Sequence, residues 1–499
     1  MVLAPIAFVP MDDRPVTAAL PVMLGRIAGR SVDEPPREML GRYLQPGAPD
    51  RITVWLNTQP PDTLDYVISS DMLAYGGLIA SRTPANRFED AAFRLRELQH
   101  LRSARPGAWI GVFGTVMRLA PTGVPASQSG FFGAYPAWLY LQQFANLHDP
   151  PGGEEVAEAQ HLRQLIGEPT LDAYLQTRNR NYGIDTLLIG LAAHGTIDAL
   201  VLGQDDAGPI GLHVREVRAL LQAAQSEQGR TSIEPGADEL GMALVARALA
   251  RGAKWTPRIA VRYSRPDGAS FSDPLEYAPV SAAIGGLIRL CGGVPDNVHP
   301  DVNLYVRVPH TSAGEDAALL RDIAAQEEAR RSVALADLTF LTSYGDQAAF
   351  AERLLREGAA GALDAYASWN TNANTVGTAI AEAIAAGAGR RTGTYSQLAH
   401  KEFTFARFVD DYAFHDYVRP MLNGALDAQG VSDHTLLAAD LAVPMSELDR
   451  SALWNRASSV LKQLYPGYHI ASMNISLPWD RTFETQLDAA IAPNLEAAQ

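Results

Sequence analysis

Two adjacent carboxylates, Asp205 and Asp206, follow the apolar run Ala199 to Gly203 and Gln204, and Gly208, Pro209 and Gly211 break the chain just beyond them. An apolar run of this length reads as a buried strand, and the break as the turn into the helical pattern that begins near His213. The strand therefore delivers both carboxylates to its C-terminal mouth, the edge at which α/β folds place ligands and chemistry. Side by side, two like charges force one acid to hold its proton to higher pH. One acid and one anion are the pair that glycosidic hydrolysis requires. The plainer alternative is a helix N-cap with a solvated neighbour.

Other strand candidates end in the same way. Ile6 to Val9 runs into Asp12, Asp13 and Arg14, bracketed by Pro10 and Pro15, which would fix the turn. These three residues are candidates for binding substrate hydroxyls; the alternative is an exposed ion pair of little energetic weight. Asp65 to Ser70 leads to Asp71, Tyr75 and Arg82 around the flexible pair Gly76-Gly77, where backbone can approach a ligand closely. Asp71 could instead bond its own backbone. Thr231 to Pro235 leads to Asp238 and Glu239, which could simply favour the next helix electrostatically. Leu363 to Ser368 exits through Trp369, Asn370 and Asn372. Asparagine amides both donate and accept, and an indole offers a sugar face; an asparagine-stabilised turn with Asn374 as N-cap serves equally. With Gln204, these residues make the expected substrate-binding set around catalytic Asp205 and Asp206.

The elements that must position them alternate as strand and helix from Ile6 to Ala386, a pattern that predicts a mostly parallel sheet. Further strands are expected at Trp109 to Gly114, Ile259 to Tyr263, Leu304 to Val308 and Val333 to Leu338, with a peripheral one at Ile52 to Leu56. Phe88 to Leu101, Glu154 to Arg180, His213 to Gln225, Leu240 to Ala250 and Ser281 to Leu290 read as helices. The aromatic segment Phe131 to Phe144, with Tyr135, Trp138 and Tyr140, reads as core at helical spacing. No Gly-x-Gly-x-x-Gly follows the first strand, so a dinucleotide fold is not indicated. The expected architecture is an α/β fold with a (β/α)8 TIM-like barrel over residues 1–393 and an appended, mostly α-helical region over 394–499. An open doubly wound sheet is the alternative. In the appended region, Gln397 to Met421 carries Asp410, Asp411 and His415 on a helix-like pattern without metal-ligand spacing.

Composition narrows the class. The 499 residues are 47% hydrophobic, enough for a large core. With 41 Lys+Arg against 56 Asp+Glu the net charge is −15, the wrong sign for a general nucleic-acid binder. The single cysteine, Cys291, permits no intramolecular disulfide and no cysteine-based zinc site. No apolar run is long enough to span a membrane, and the opening Met-Val-Leu-Ala-Pro lacks the basic start of a signal peptide. A cytoplasmic enzyme for a small neutral carbohydrate is expected, with no nucleic-acid or membrane partner and no cofactor.

Met11-Asp12-Asp13-Arg14-Pro15, Asp71-Met72-Leu73-Ala74-Tyr75-Gly76-Gly77, Gln204-Asp205-Asp206, Pro235-Gly236-Ala237-Asp238-Glu239 and Trp369-Asn370-Thr371 together resemble the bacterial domain-of-unknown-function 4127 family across nearly the whole chain. That family name implies no activity. The Asp-Asp pair alone is also similar to that of O-GlcNAcase-like hexosaminidases, retaining enzymes whose nucleophile is the substrate's own 2-acetamido oxygen. This second resemblance implies that Asp205 orients the acetamide nitrogen, while Asp206 protonates the leaving oxygen and then deprotonates water. The functional expectation is thus a retaining β-N-acetylhexosaminidase, acting on an N-acetylgalactosaminide or N-acetylglucosaminide. Two alternatives stand beside it. One is a metal-dependent hydrolase with Mg²⁺ or Mn²⁺ on Asp12, Asp13, Asp71, Asp205, Asp206, Asp238 and Glu239. The other is a non-catalytic carbohydrate-binding protein.

Overall fold

A computed structural model describes residues 3–119, 153–206, 208, 211–225, 229–273, 275–340, 345–431 and 437–494. The expected aromatic segment at Phe131 to Phe144 lies outside them. The chain forms two compact units that interleave in sequence: residues 1–13, 31–244 and 272–286 make the first, and 14–30, 245–271 and 287–499 the second. Residues 394–499 thus fall within the second unit.

The first unit is built on six parallel strands, β1 (Ile6–Val9), β2 (Val32–Asp33), β3 (Asp65–Ser69), β4 (Trp109–Val116), β5 (Ala199–Gln204) and β6 (Thr231–Pro235), in the order β2-β1-β3-β4-β5-β6. β1, β3, β4 and β5 are buried along their whole length, which is why apolar residues dominate them without a strict alternation. Phe8 of β1 and Phe113 of β4 stack with ring centroids 6.4 Å apart. Gly203 is required in β5 because a Cβ there would stand 2.3 Å from the Gly236 carbonyl oxygen.

The second unit holds five parallel strands, β7 (Arg258–Tyr263), β8 (Val294–Pro295), β9 (Val302–Arg307), β10 (Ser332–Asp337) and β11 (Ala365–Ala367), ordered β11-β10-β9-β7-β8. Read from β8, this is 2-1-3-4-5, the order that the first five strands of the first unit also follow. It is the doubly wound order whose ligand crevice lies where the strand sequence reverses. One chain therefore carries the same strand order twice, although no repeat is visible in its sequence. Tyr366 of β11 stacks on Phe408 at a centroid distance of 4.0 Å, within a core that includes Tyr305, Leu335 and Phe350. An antiparallel hairpin, β12 (Tyr468–Ser476) with β13 (Gln486–Pro493), completes this unit.

The mixed α/β class and the parallel pairing match the sequence expectation. Among the described residues the strands pair into these two parallel sheets and the hairpin, with no closed ring of eight. The alternation of strand and helix is common to barrels and open sheets, so periodicity alone does not separate them. The segment expected as a peripheral strand at Ile52 to Leu56 is instead inside the helix Pro49–Asn57. Pro49 stands in its first turn, and the buried pair Ile52 and Leu56 lies four residues apart, with Val54 exposed between them. The helix-like pattern at Gln397 to Met421 becomes an α-helix, Gln397–Arg407, followed by an 11-residue π-helix, Phe408–Val418.

Candidate active site at the C-terminal edge of the first sheet

Three neighbouring strands, β3, β4 and β5, present their C-terminal ends side by side. Ser69, the last residue of β3, caps the helix Ser70–Tyr75 by accepting a hydrogen bond from the Met72 N–H at 3.2 Å. This places Asp71 in the first turn, fully buried, where Thr115 of β4 donates its hydroxyl to Asp71 Oδ2 at 3.0 Å. Burial pushes the Asp71 carboxyl up to about 7, against the opposing pull of Thr115 and Arg82 and with the help of the Asp205 charge.

Beyond β5, Asp205 is buried against the guanidinium of Arg82, itself buried. Desolvation and the neighbouring Asp206 raise the Asp205 carboxyl, while Arg82 and Arg118 oppose the rise. Asp206 accepts from Arg118 Nη1 at 2.7 Å and adopts a positive φ of 32°, a conformation that costs an L-residue of order 1 kcal/mol and recurs at functional sites. Behind this pair Arg178 donates to the Arg118 carbonyl at 3.0 Å and to Glu216 Oε1 at 2.9 Å, fixing the segment that carries Arg118. Asp185, on the helix Glu168–Ala193, is buried and driven far above the ordinary carboxylate range by desolvation, with Asp71 and Glu216 adding to the rise. His213 is kept neutral, its pKa lowered to about 4 by burial, and shares a 2.7 Å hydrogen bond with the Gly208 carbonyl.

The structure thus brings together Asp71, Arg82, Asp205 and Asp206 from the expected set. Asp238 is close enough for its charge to raise Asp205. Tyr75 is buried on the Asp71 helix beneath the Arg180 guanidinium, 4.6 Å from its ring centroid. Gln204 ends β5 with its side-chain Nε2 buried and without a hydrogen-bond partner among the described residues. Glu239 is buried and accepts from the Ala237 N–H at 3.2 Å, bracing its own turn. Asp12 and Asp13 are buried beyond β1; Asp13 Oδ2 accepts from Arg37 Nε at 3.3 Å, and its own N–H donates to the Gly41 carbonyl at 3.1 Å.

The remaining expected residues belong to the second unit. Arg14 lies over the Trp479 ring at 4.7 Å. Trp369 is buried, with its indole N–H donated to Thr378 Oγ1 at 3.1 Å. Asn370, at a φ of 50°, donates to Asn374 Oδ1 at 2.8 Å. The N-cap of the helix Asn372–Thr392 is Thr371, not Asn374, which sits three residues on and closes a reciprocal capping box. Asn372 Nδ2 is buried with no hydrogen-bond partner among the described residues.

Sequence reasoning missed Thr115, Arg118, Asp185 and Arg178. Arg118 follows a strand end and was visible as such; Asp185 and Arg178 sit inside a long helix, where nothing marks a buried charge. In the second unit the sequence marks Asp410, Asp411 and His415 but not the Arg407 that joins the two carboxylates. There Arg407 donates to Asp411 Oδ1 at 2.8 Å and to Asp410 Oδ2 at 3.0 Å, and the Ser368 N–H donates to Asp411 Oδ2 at 2.8 Å. In the π-helix, Asp410 Oδ1 lies 3.8 Å from Nε2 of His415, five residues on. Among the described residues, no three His, Cys, Asp or Glu side chains are grouped so as to hold a metal ion, and no helix is long and apolar enough to cross a membrane.

The family profile for "Protein of unknown function (DUF4127)" matches residues 6–488. The chain belongs to this family. No curated protein and no solved structure matches it.

Proposed function

We propose that this DUF4127 protein is a glycoside hydrolase of the retaining β-N-acetylhexosaminidase type. The observation that supports the reading is Asp71: a fully buried carboxyl, oriented by Thr115, that holds its proton to about 7 beside the Arg82–Asp205 ion pair. A carboxylic acid kept neutral at working pH is what protonation of a glycosidic oxygen calls for. In the proposed reaction the acid role passes from Asp206, which is engaged by Arg118, to Asp71. Asp71 gives its proton to the leaving oxygen as the anomeric C–O bond breaks and the substrate's acetamide oxygen bonds to the anomeric carbon. Asp205, fixed by Arg82, accepts the acetamide N–H. The Asp71 carboxylate then takes a proton from the water that opens the intermediate. The substrate is a small neutral carbohydrate, and the enzyme is placed in the cytoplasm.

The test is a screen of p-nitrophenyl glycosides with and without the 2-acetamido group, run on wild type, Asp71→Asn and Asp205→Ala. Turnover restricted to acetamido substrates and lost in Asp71→Asn is expected. Hydrolysis undiminished in both variants would sink the assignment.

A further inference from the structure

A cavity of about 560 Å³ opens in the second unit at the N-terminal ends of β9, β10 and β11, the edge opposite to that carrying Asp337 and Trp369. Its volume is that of a small-molecule site. Four arginines line it, Arg330, Arg331, Arg390 and Arg391, against three acids, Asp301, Glu327 and Asp364.

Two of these arginines are already answered. Arg390 donates to both oxygens of Asp364, and Arg391 donates to Asp301 Oδ1 at 3.0 Å while lying 4.4 Å from the Trp255 ring centroid. Asp301 is shared further with Arg258. Arg330 and Arg331 are exposed and have no side-chain hydrogen bond or ion pair among the described residues. Glu327 does not answer them: burial and the charge of Asp364 raise its carboxyl to about 7, and its Oε1 is buried without a hydrogen-bond partner. The cavity therefore holds unspent positive charge next to groups suited to hydroxyls.

The backbone supplies an independent observation. The Arg330 N–H bonds the Glu327 carbonyl and the Arg331 N–H bonds the Gln326 carbonyl, a Schellman closure of the helix Ala313–Glu328. Arg330 occupies its left-handed position, with φ 55°. Glycine is the usual residue there, and a side chain costs of order 1 kcal/mol.

We propose that this cavity binds a phosphate monoester of a small polyol. The phosphate sits between Arg330 and Arg331, whose guanidinium forks match its oxygens. Glu327, Asp301 and Asp364 face the hydroxyls. This proposal does not rest on the role proposed for the carboxylates of the first unit.

Thermal unfolding and titration calorimetry of the full chain test this, with glucose 6-phosphate as probe and glucose as the uncharged control. A saturable rise in Tm with glucose 6-phosphate and none with glucose is expected. Arg330→Gly with Arg331→Ala should weaken binding roughly tenfold or more. Because glycine suits the left-handed position, the unliganded Tm of this variant should be unchanged or higher, which separates loss of ligand from loss of fold. No saturable binding of glucose 6-phosphate, or equal binding by the double variant, overturns the proposal.

Discussion

Thr115 Oγ1 donates to Asp71 Oδ2 at 3.0 Å, from the end of β4 to the turn that follows its neighbour β3. This single bond opposes the desolvation that lifts the Asp71 carboxyl, because a donor stabilises the charged form. Thr115→Val should let the acid hold its proton to still higher pH, moving the alkaline limb of kcat upward, while Thr115→Ser restores the wild-type limb. The check is the pH–rate profile on the substrate found in the glycoside screen. An unmoved limb in Thr115→Val would mean that Asp71 is not the titrating acid.

The same carboxyl makes a statement about stability. Its folded pKa of about 7 lies above the ordinary aspartate value of 3.8, so the native state binds the proton more tightly than the unfolded chain does. The stability associated with that proton is present at low pH and is lost as pH rises from about 4 through 7, by up to roughly 4 kcal/mol. Asp71→Asn, uncharged and of similar shape, should lack this decline. Urea unfolding of both proteins across that range gives the difference directly; parallel curves would contradict the burial argument.

Arg82 and Asp205 form an ion pair in which both side chains are less than one-tenth exposed. Removing one partner strands a buried charge, so Arg82→Met should cost about 3–5 kcal/mol. The double variant Arg82→Met, Asp205→Asn strands none and should recover most of that loss. A double-mutant cycle by denaturant unfolding reads the coupling. Additive losses would show that the two groups are solvated separately.

Strand ends were the legible part of this molecule. β1, β3, β4 and β5 are buried, mostly apolar segments, and the polar residues that follow each one do mark the C-terminal edge of the sheet, as with Asp71 and Asp205. What the runs do not encode is which strands are neighbours. Hydrogen-bond partners come from segments far apart in sequence, so two open sheets and one barrel leave the same alternation behind. Long-range electrostatics was illegible for a related reason. Nothing local ties Arg118 to Asp206, 88 residues away, or distinguishes Asp185 from a solvated helix residue. Trp369 was correctly found at a strand end, but its indole N–H is committed to Thr378, nine residues away on the next helix. The π-helix at Phe408–Val418 left no signal, because periodicity is read against α-helical spacing.

That π-helix yields a stability limb of opposite sign. His415 is fully buried between the edges of Phe340 and Phe414, with ring centroids 4.8 and 5.2 Å away. Asp410 Oδ1 stands 3.8 Å from its Nε2, too far for a hydrogen bond, and the charges of Arg407 and Arg419 act against a third cation. Desolvation, the largest of these effects, holds the imidazole well below its ordinary value of 6.5. Below that value the unfolded chain takes up a proton that the native state refuses, so stability is present above about 6.5 and falls as pH drops further. His415→Gln removes the titrating ring and should flatten the acid limb between about pH 6.5 and 5, whatever its cost at neutral pH. Urea midpoints of wild type and variant, each referred to its own value at pH 7.5, isolate that limb from the packing loss. If both proteins lose stability equally over this interval, His415 is not the group responsible.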